Sequence, residues 1–329
     1  MAQTRLLGAN TGASNTAVGD NALLANTTGA NNTAVGALAG DAITTGLGNV
    51  AVGYRSLSSN TTAASNTAIG VDALTSNTTG TSNTAVGRDT LNQQTTASYN
   101  TALGHQALNL NTSGASNTAS GYKALYANTT GTLNTAVGAL AGDAITTASY
   151  NTALGYAALS ANITGAQNTA VGYAALTLAT GADNTAVGSQ SLANVAAGTY
   201  NTALGRSAGH AVTTGTNNTF IGGLTGDATT TASNNTAVGY AALGANTTGD
   251  RGAALGKGAL TANTTGTENV GIGYLALDAN TTGAANTAVG SEALGANTTA
   301  NYNVAVGTAA LILNTTGTHN VAIGALAGD

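Results

Sequence analysis

A seventeen-residue repeat runs through this chain almost from end to end, and no other property of the sequence restricts the fold as much. The string Asn-Thr-Ala-Val-Gly, or a close variant, begins at Asn15 and recurs to Asn320, giving nineteen copies in 329 residues. Every step is seventeen residues except that from Asn168 to Asn184, which is sixteen. The missing residue falls where other copies read Asn-Thr-Thr-Gly and this one reads Ala179-Thr180-Gly181. That is where a surface bend tolerates a deletion. A unit this short cannot bury an apolar face alone, so copies must stack on one another. The length would ordinarily suggest two domains. The unbroken repeat instead predicts one solenoid over residues 1–329, with a partial first coil over 1–14, repeats from 15 and a last partial coil from 320.

The consensus is Asn-Thr-Ala-Val-Gly-x-x-Ala-Leu-x-x-Asn-Thr-Thr-Gly-x-x. Its fifth place is Gly in all nineteen copies, from Gly19 to Gly324, which marks a corner needing positive φ or lacking room for a Cβ. The four residues before it favour a strand. Alternation sends the second and fourth places to one face and the third to the other. Val50, Val270, Val304 and Val321 replace Thr at the second place, so that face is expected to be the interior. The expected core is therefore Val18, Val35 and Val52 at the fourth place, with Leu23, Leu57 and Leu74 at the ninth. The Ala-Leu segment reads equally as a second strand or as one helical turn, and Asn-Thr-Thr-Gly supplies a second bend. Asn at the first and twelfth places should form amide ladders from coil to coil. In the copies from Asn32 and Asn134 the ninth place is Gly, and Leu38 and Leu140 are candidates to fill the lost volume. The fold class is all-β: a parallel β-solenoid, or β-roll, of about nineteen coils, roughly 90 Å long at a strand spacing of ~4.8 Å.

The third place is Ala in seventeen of the nineteen copies. Pointing away from the expected core, Ala17, Ala34, Ala51, Ala68, Ala85 and Ala102 would form a flat stripe of methyl groups and a lateral interface. Asn320-Val321-Ala322-Ile323-Gly324 and its relatives resemble the head repeats of YadA-type trimeric autotransporter adhesins, and the chain is similar to the Asn-Thr-Ala-Val-Gly repeats of phage and bacterial tail-fibre-like proteins. That resemblance implies a left-handed parallel β-roll, three copies of which pack side by side as a homotrimer, on a cell surface or virion. The chain also starts and stops inside a coil at nearly the same repeat place, Leu6 at the ninth and Asp329 at the tenth. Head-to-tail filament growth from open strand edges is the alternative.

Chemistry-bearing residues are scattered. His105, His210 and His319 occupy the sixth, tenth and seventeenth places and form no column. There is no Cys, and the acids lack the dense glycine–aspartate pattern of calcium-binding β-rolls. Near-identical coils offer no unique pocket, so no catalytic, cofactor-binding or metal-ligating residue is expected, and the chain reads as a non-enzyme without cofactor. Only seven residues are basic, and they form no patch for phosphate, which argues against nucleic acid as a partner. No window approaches the ~20 apolar residues of a membrane span, and residues 1–10 lack the apolar stretch of a secretory signal. An extracellular or virion-associated location is expected nonetheless, from the fibre reading.

Two surface arrays remain. Tyr54, Tyr122, Tyr156, Tyr173, Tyr240 and Tyr274 directly follow the invariant glycine, and Tyr99, Tyr150, Tyr200 and Tyr302 close the preceding repeat. These rings either shield the coil corners or contact a glycan, a cell-surface receptor or a neighbouring chain. The Thr pairs at the thirteenth and fourteenth places (Thr27-Thr28, Thr78-Thr79, Thr129-Thr130, Thr247-Thr248) suggest a second alternative, an ice- or glycan-binding surface.

Overall fold

A computed structural model describes residues 12–328. Leu6, Asp329 and most of the partial first coil lie outside the described residues. The protein is all-β: nineteen parallel three-residue strands, each one repeat after the last, build a β-solenoid with no helix among the described residues. It groups into two compact units, Met1–Ala166 and Gln167–Asp329. The first holds β1 (Thr16–Val18) to β9 (Thr152–Leu154), the second β10 (Thr169–Val171) to β19 (Val321–Ile323). Within each unit every strand pairs in register with the same three places of the next coil, as Thr84, Ala85 and Val86 do with Thr101, Ala102 and Leu103. In the second unit Thr287, Ala288 and Val289 face Val304, Ala305 and Val306.

The hydrogen-bond ladder continues all round the coil. In the first unit Leu57 N–H donates to the Ala73 carbonyl (3.0 Å) and Thr78 N–H to that of Thr95 (2.8 Å). In the opposite direction, Gly70 N–H donates to Val52 (2.7 Å) and Asp72 N–H to Tyr54 (3.0 Å). The Ala-Leu segment is neither strand nor helix. It is two consecutive turns, closed by Ser56 N–H to the Gly53 carbonyl (3.4 Å) and Asn60 N–H to that of Leu57 (3.2 Å). The seventh, ninth and seventeenth places adopt left-handed backbone even where they are not glycine: Leu57 and Leu74 have φ of 54° and 52°. A left-handed Leu is uncommon. Here it turns the leucine inward while its amide stays in the ladder. At the fifth place φ runs from 122° to 140°. A Cβ on Gly53 would stand 2.5 Å from the Gly70 carbonyl oxygen, so both conformation and the adjacent coil require glycine.

The two faces of the strand are the reverse of the sequence expectation. Ala34, Ala51, Ala68, Ala85 and Ala102 are buried inside the chain, whereas Ala17 is half-buried in β1. Val18 and Val35 are exposed and Val52 is half-buried. The cause is room. Seventeen residues enclose a narrow section already holding Leu at the ninth place and Ala at the eighth, so only a methyl fits opposite them. The larger β-branched side chains go outside although they are more apolar. Leu23, Leu57 and Leu74 are buried, as the sequence indicated. In the copies from Asn32 and Asn134 the volume left by the ninth-place Gly is taken by Ile43 and Ile145, both fully buried, and not by Leu38 and Leu140, which stay half-exposed. A Cβ on Gly40 would lie 2.9 Å from Ile43 Cδ1.

Two buried asparagine columns complete the interior. At the first place, Asn66 Nδ2 donates to the Gly80 carbonyl of its own coil (2.8 Å), and its Oδ1 accepts the Asn83 N–H of the next (2.9 Å). At the twelfth, Asn280 donates to Asn263 Oδ1 (2.9 Å) and Asn297 to Asn280 Oδ1 (3.0 Å). Gln94 replaces one twelfth-place Asn, and its Oε1 accepts from Asn100 Nδ2 (2.8 Å), joining the two columns. The shortened coil keeps its ladder: Thr180 N–H donates to Ala196 (2.7 Å), and Asn168 Nδ2 reaches Gly181 (2.9 Å) over thirteen residues where other coils use fourteen.

Candidate functional site

Inversion of the strand places an array on the outside that the sequence reading had assigned to the core. Across each unit the second and fourth places form two parallel columns, Thr or Val (Ala at Ala253) beside Val, Ile or Leu (Ser at Ser120). Neither place carries a charged residue in any of the nineteen strands. Leu103 is 50% exposed while its neighbour Ala102 is 0%. Ile69, Val137 and Leu154 in the first unit, and Leu204, Ile221, Leu255 and Ile272 in the second, are likewise exposed. One signal in the sequence pointed here. The third place almost never exceeds Ala, whereas the fourth accepts Val, Ile, Leu and Ser, a spread that fits a position facing outward.

The tyrosines after the invariant glycine stand on the next corner. All six (Tyr54, Tyr122, Tyr156, Tyr173, Tyr240 and Tyr274) are exposed. Charged residues of both signs gather with them. Arg55 Nη1 lies 3.6 Å from Asp72 Oδ1; Arg88 Nε and His105 Nε2 lie 3.2 and 3.7 Å from Asp89 Oδ2. His105 stacks on Tyr122 with ring centroids 5.7 Å apart, and Lys123 Nζ sits 5.5 Å from the centre of the Tyr122 ring. In the second unit Lys257 Nζ lies 5.9 Å from the centre of the Tyr274 ring. At the seventeenth place Tyr302 stacks on His319 at 4.9 Å, and Tyr99, Tyr150 and Tyr200 are exposed.

The first hydroxyl of each threonine pair is engaged with the next coil. Thr27 Oγ1 donates to the Thr44 carbonyl of the next coil (3.0 Å), Thr78 to Thr95 (3.0 Å), Thr129 to Thr146 (3.1 Å) and Thr247 to Thr264 (3.0 Å). These hydroxyls belong to the ladder. The Asn-Thr-Thr triplets match glycosylation sequons, yet Asn60, Asn77 and Asn128 are buried and their amides donate to carbonyls of their own bends.

Five aspartates share the tenth place, four of them, Asp41, Asp143, Asp227 and Asp278, among the described residues. Each of these four is half-buried, and loss of water raises its pKa above the ordinary carboxylate value. The Arg55 charge opposes that shift at Asp41 and the Lys123 charge at Asp143. Oδ1 of Asp41 and of Asp143 is buried without a hydrogen-bond partner. Among the described residues no three His, Asp or Glu side chains gather as metal ligands do. No helix of the described residues is long and apolar enough to cross a membrane. No protein-family model and no curated protein sequence matches the chain.

Proposed function

We propose that this protein is a non-catalytic structural fibre element that associates with copies of itself, as a homotrimer, through the exposed strand face. The observation that carries this reading is the pair of outward columns at the second and fourth places. A regular, uncharged face that repeats in register within each unit can meet the same face of another copy. Aliphatic side chains of that face are exposed in both units, as at Leu103 and Leu204. The continuous backbone ladder and the two asparagine columns support a stiff element, because bending must break hydrogen bonds in several columns together. The resemblance of the repeat to adhesin heads and tail-fibre-like proteins supports the number three and an extracellular or virion-associated setting.

Sedimentation equilibrium on the purified protein tests the reading. Three chain masses at micromolar concentration is the expected result, and a monomer at that concentration overturns it. Masses that keep growing with concentration would instead support a head-to-tail filament.

A further inference from the structure

We propose that the bend face of each unit, formed by the fourteenth and sixteenth places, binds ice. These places are distinct from the second and fourth, so the inference does not rest on lateral association through the strand face.

The first support is a column of hydroxyls that the coil does not use. Nine consecutive coils from Thr28 to Thr164 carry Thr at the fourteenth place, or Ser at Ser113, and seven from Thr214 to Thr316 carry Thr. All these side chains are exposed. The hydroxyl one place earlier is spent on the ladder, as at Thr78, whereas the fourteenth-place hydroxyls of the described residues have no protein partner. Their backbone is held from both sides: Thr79 N–H donates to the Thr95 carbonyl (3.3 Å), and the buried Asn77 amide donates to Gly80 (3.0 Å). On a fixed backbone a β-branched side chain has few rotamers, so each hydroxyl and methyl is limited to a few positions.

The second support is a peptide donor at the sixteenth place. Thr81 N–H donates to Ser98 Oγ (3.0 Å), Thr132 N–H to Ser149 Oγ (3.0 Å), Ser233 N–H to Asp250 Oδ1 (2.6 Å) and Ala284 N–H to Asn301 Oδ1 (2.6 Å), each across one coil. The chain's own side chains thus show what this donor takes, an oxygen that arrives from outside the backbone ladder. Leu47 is followed at this place by Ala64, Ala64 by Thr81 and Ser98 by Ala115, and no protein group of the described residues meets the N–H of Leu47, Ala64 or Ser98. A peptide N–H is a strong donor that must find an acceptor, and a water oxygen is one. The bend face therefore offers water a hydroxyl and a donor in the same coil.

The third support is period. Each coil offers only these shallow contacts, so a small ligand gains little from any one of them. A partner gains from all of them together only if it repeats at the coil spacing, about 4.8 Å. Rows of oxygen atoms in hexagonal ice repeat within a few tenths of an ångström of that distance. Charged side chains would hold a hydration shell of their own between the face and a crystal. The fourteenth place carries none, and the sixteenth carries only Asp250, whose Oδ1 already accepts the Ser233 N–H.

Thermal hysteresis of the purified protein tests the proposal, with sedimentation velocity on the same samples to follow oligomeric state separately. A freezing point held below the melting point, with ice crystals that grow faceted, is the expected result. The variant combining Thr62→Lys, Thr79→Lys, Thr248→Lys and Thr265→Lys should lose at least fivefold in hysteresis while keeping its circular dichroism and its sedimentation mass. The pair Val71→Lys and Thr308→Lys, at exposed sixth-place positions, should act on ice as the parent does. A parent without hysteresis that leaves ice crystals round overturns the proposal whatever its mass. Undiminished hysteresis in the fourfold variant, an equal loss in the control pair, or a loss seen only together with a changed mass would each overturn it as well.

Discussion

The side-chain oxygen of Asn32 accepts two hydrogen bonds from Asn49, one from its backbone N–H at 2.9 Å and one from its side-chain amide at 3.1 Å. The Asn49 amide also donates to the Ala63 carbonyl at 2.9 Å, closing its own coil between the first and fifteenth places. Each asparagine thus ties its coil both to itself and to a neighbour. All these groups are buried, where an unmade hydrogen bond costs about 1–3 kcal/mol.

The copy beginning at Gly252 carries a natural break in this column. Gly252 N–H still donates to Asn235 Oδ1 (2.7 Å), but glycine offers no side-chain oxygen to Asn269, whose amide donates to Gly283 (2.6 Å). Gly252→Asn should restore the column and also remove a flexible residue from the unfolded chain. The expected gain is about 1–2 kcal/mol, read as a higher urea midpoint with unchanged slope. A loss of stability would mean that the column does not act as argued.

Phe220 is the one large side chain at the buried third place, and two glycines at the ninth place make room for it. A Cβ on Gly209 would stand 2.8 Å from Phe220 Cδ2, and one on Gly226 would stand 2.8 Å from Phe220 Cζ. Leu is the consensus at that place and accepts its backbone, since Leu243 has φ of 52° against 56° at Gly226. Gly226→Leu should therefore fail on volume alone, costing ~3 kcal/mol, and Phe220→Ala should cost about 3–5 kcal/mol through its cavity. Combined, the two should cost clearly less than their sum, because leucine fills the space the ring leaves. A double-mutant cycle in urea measures this coupling, and additive losses would refute it.

The repeat made the fold legible. Period, invariant glycine and strand position follow from the sequence, and the structure places strands at the second to fourth places of each copy. The error lay in phase. Alternation separates the second and fourth places from the third but does not say which side is inside, and apolarity was taken to decide. Val18 and Val35 show that enclosed volume decides instead. The left-handed leucines of the Ala-Leu turns were also beyond the sequence, because a bulky residue is an unusual choice there. The tyrosine corner could be read from spacing, whereas the ion pairs around Asp89 required coordinates.

Acid should stabilise this protein over a limited range. Burial raises the pKa of Asp143, with weaker lowering by its backbone hydrogen bond and by Lys123, and Asp41, Asp227 and Asp278 shift the same way. Between the ordinary value of 3.8 and the raised one, the folded state binds more protons than the unfolded. Stability therefore falls as pH rises through that window and then levels off. Thermal unfolding from pH 7 down to about pH 4 should show a rising midpoint. Asp143→Asn should raise the midpoint at pH 7 and flatten the profile, by less than about 1 kcal/mol because the group is partly screened by water. A parent midpoint that falls steadily over the same range would contradict the assignment.

Adjacent residues of β6 (Thr101–Leu103) separate the two faces most directly. Ala102 lies in the core and Leu103 outside. Ala102→Asp would place an unpaired carboxylate among Ala and Leu side chains, so it should cost at least ~3 kcal/mol and unfold neighbouring coils. Leu103→Asp should change chain stability by no more than ~1 kcal/mol, because the new charge meets water. In the assembled protein the same Leu103→Asp change sets like charges against one another across the strand face. It should therefore lower the sedimentation mass at micromolar concentration while leaving circular dichroism intact. If Leu103→Asp unfolds the chain and Ala102→Asp does not, the orientation of the strand is wrong. If neither changes the mass, copies meet through some other surface.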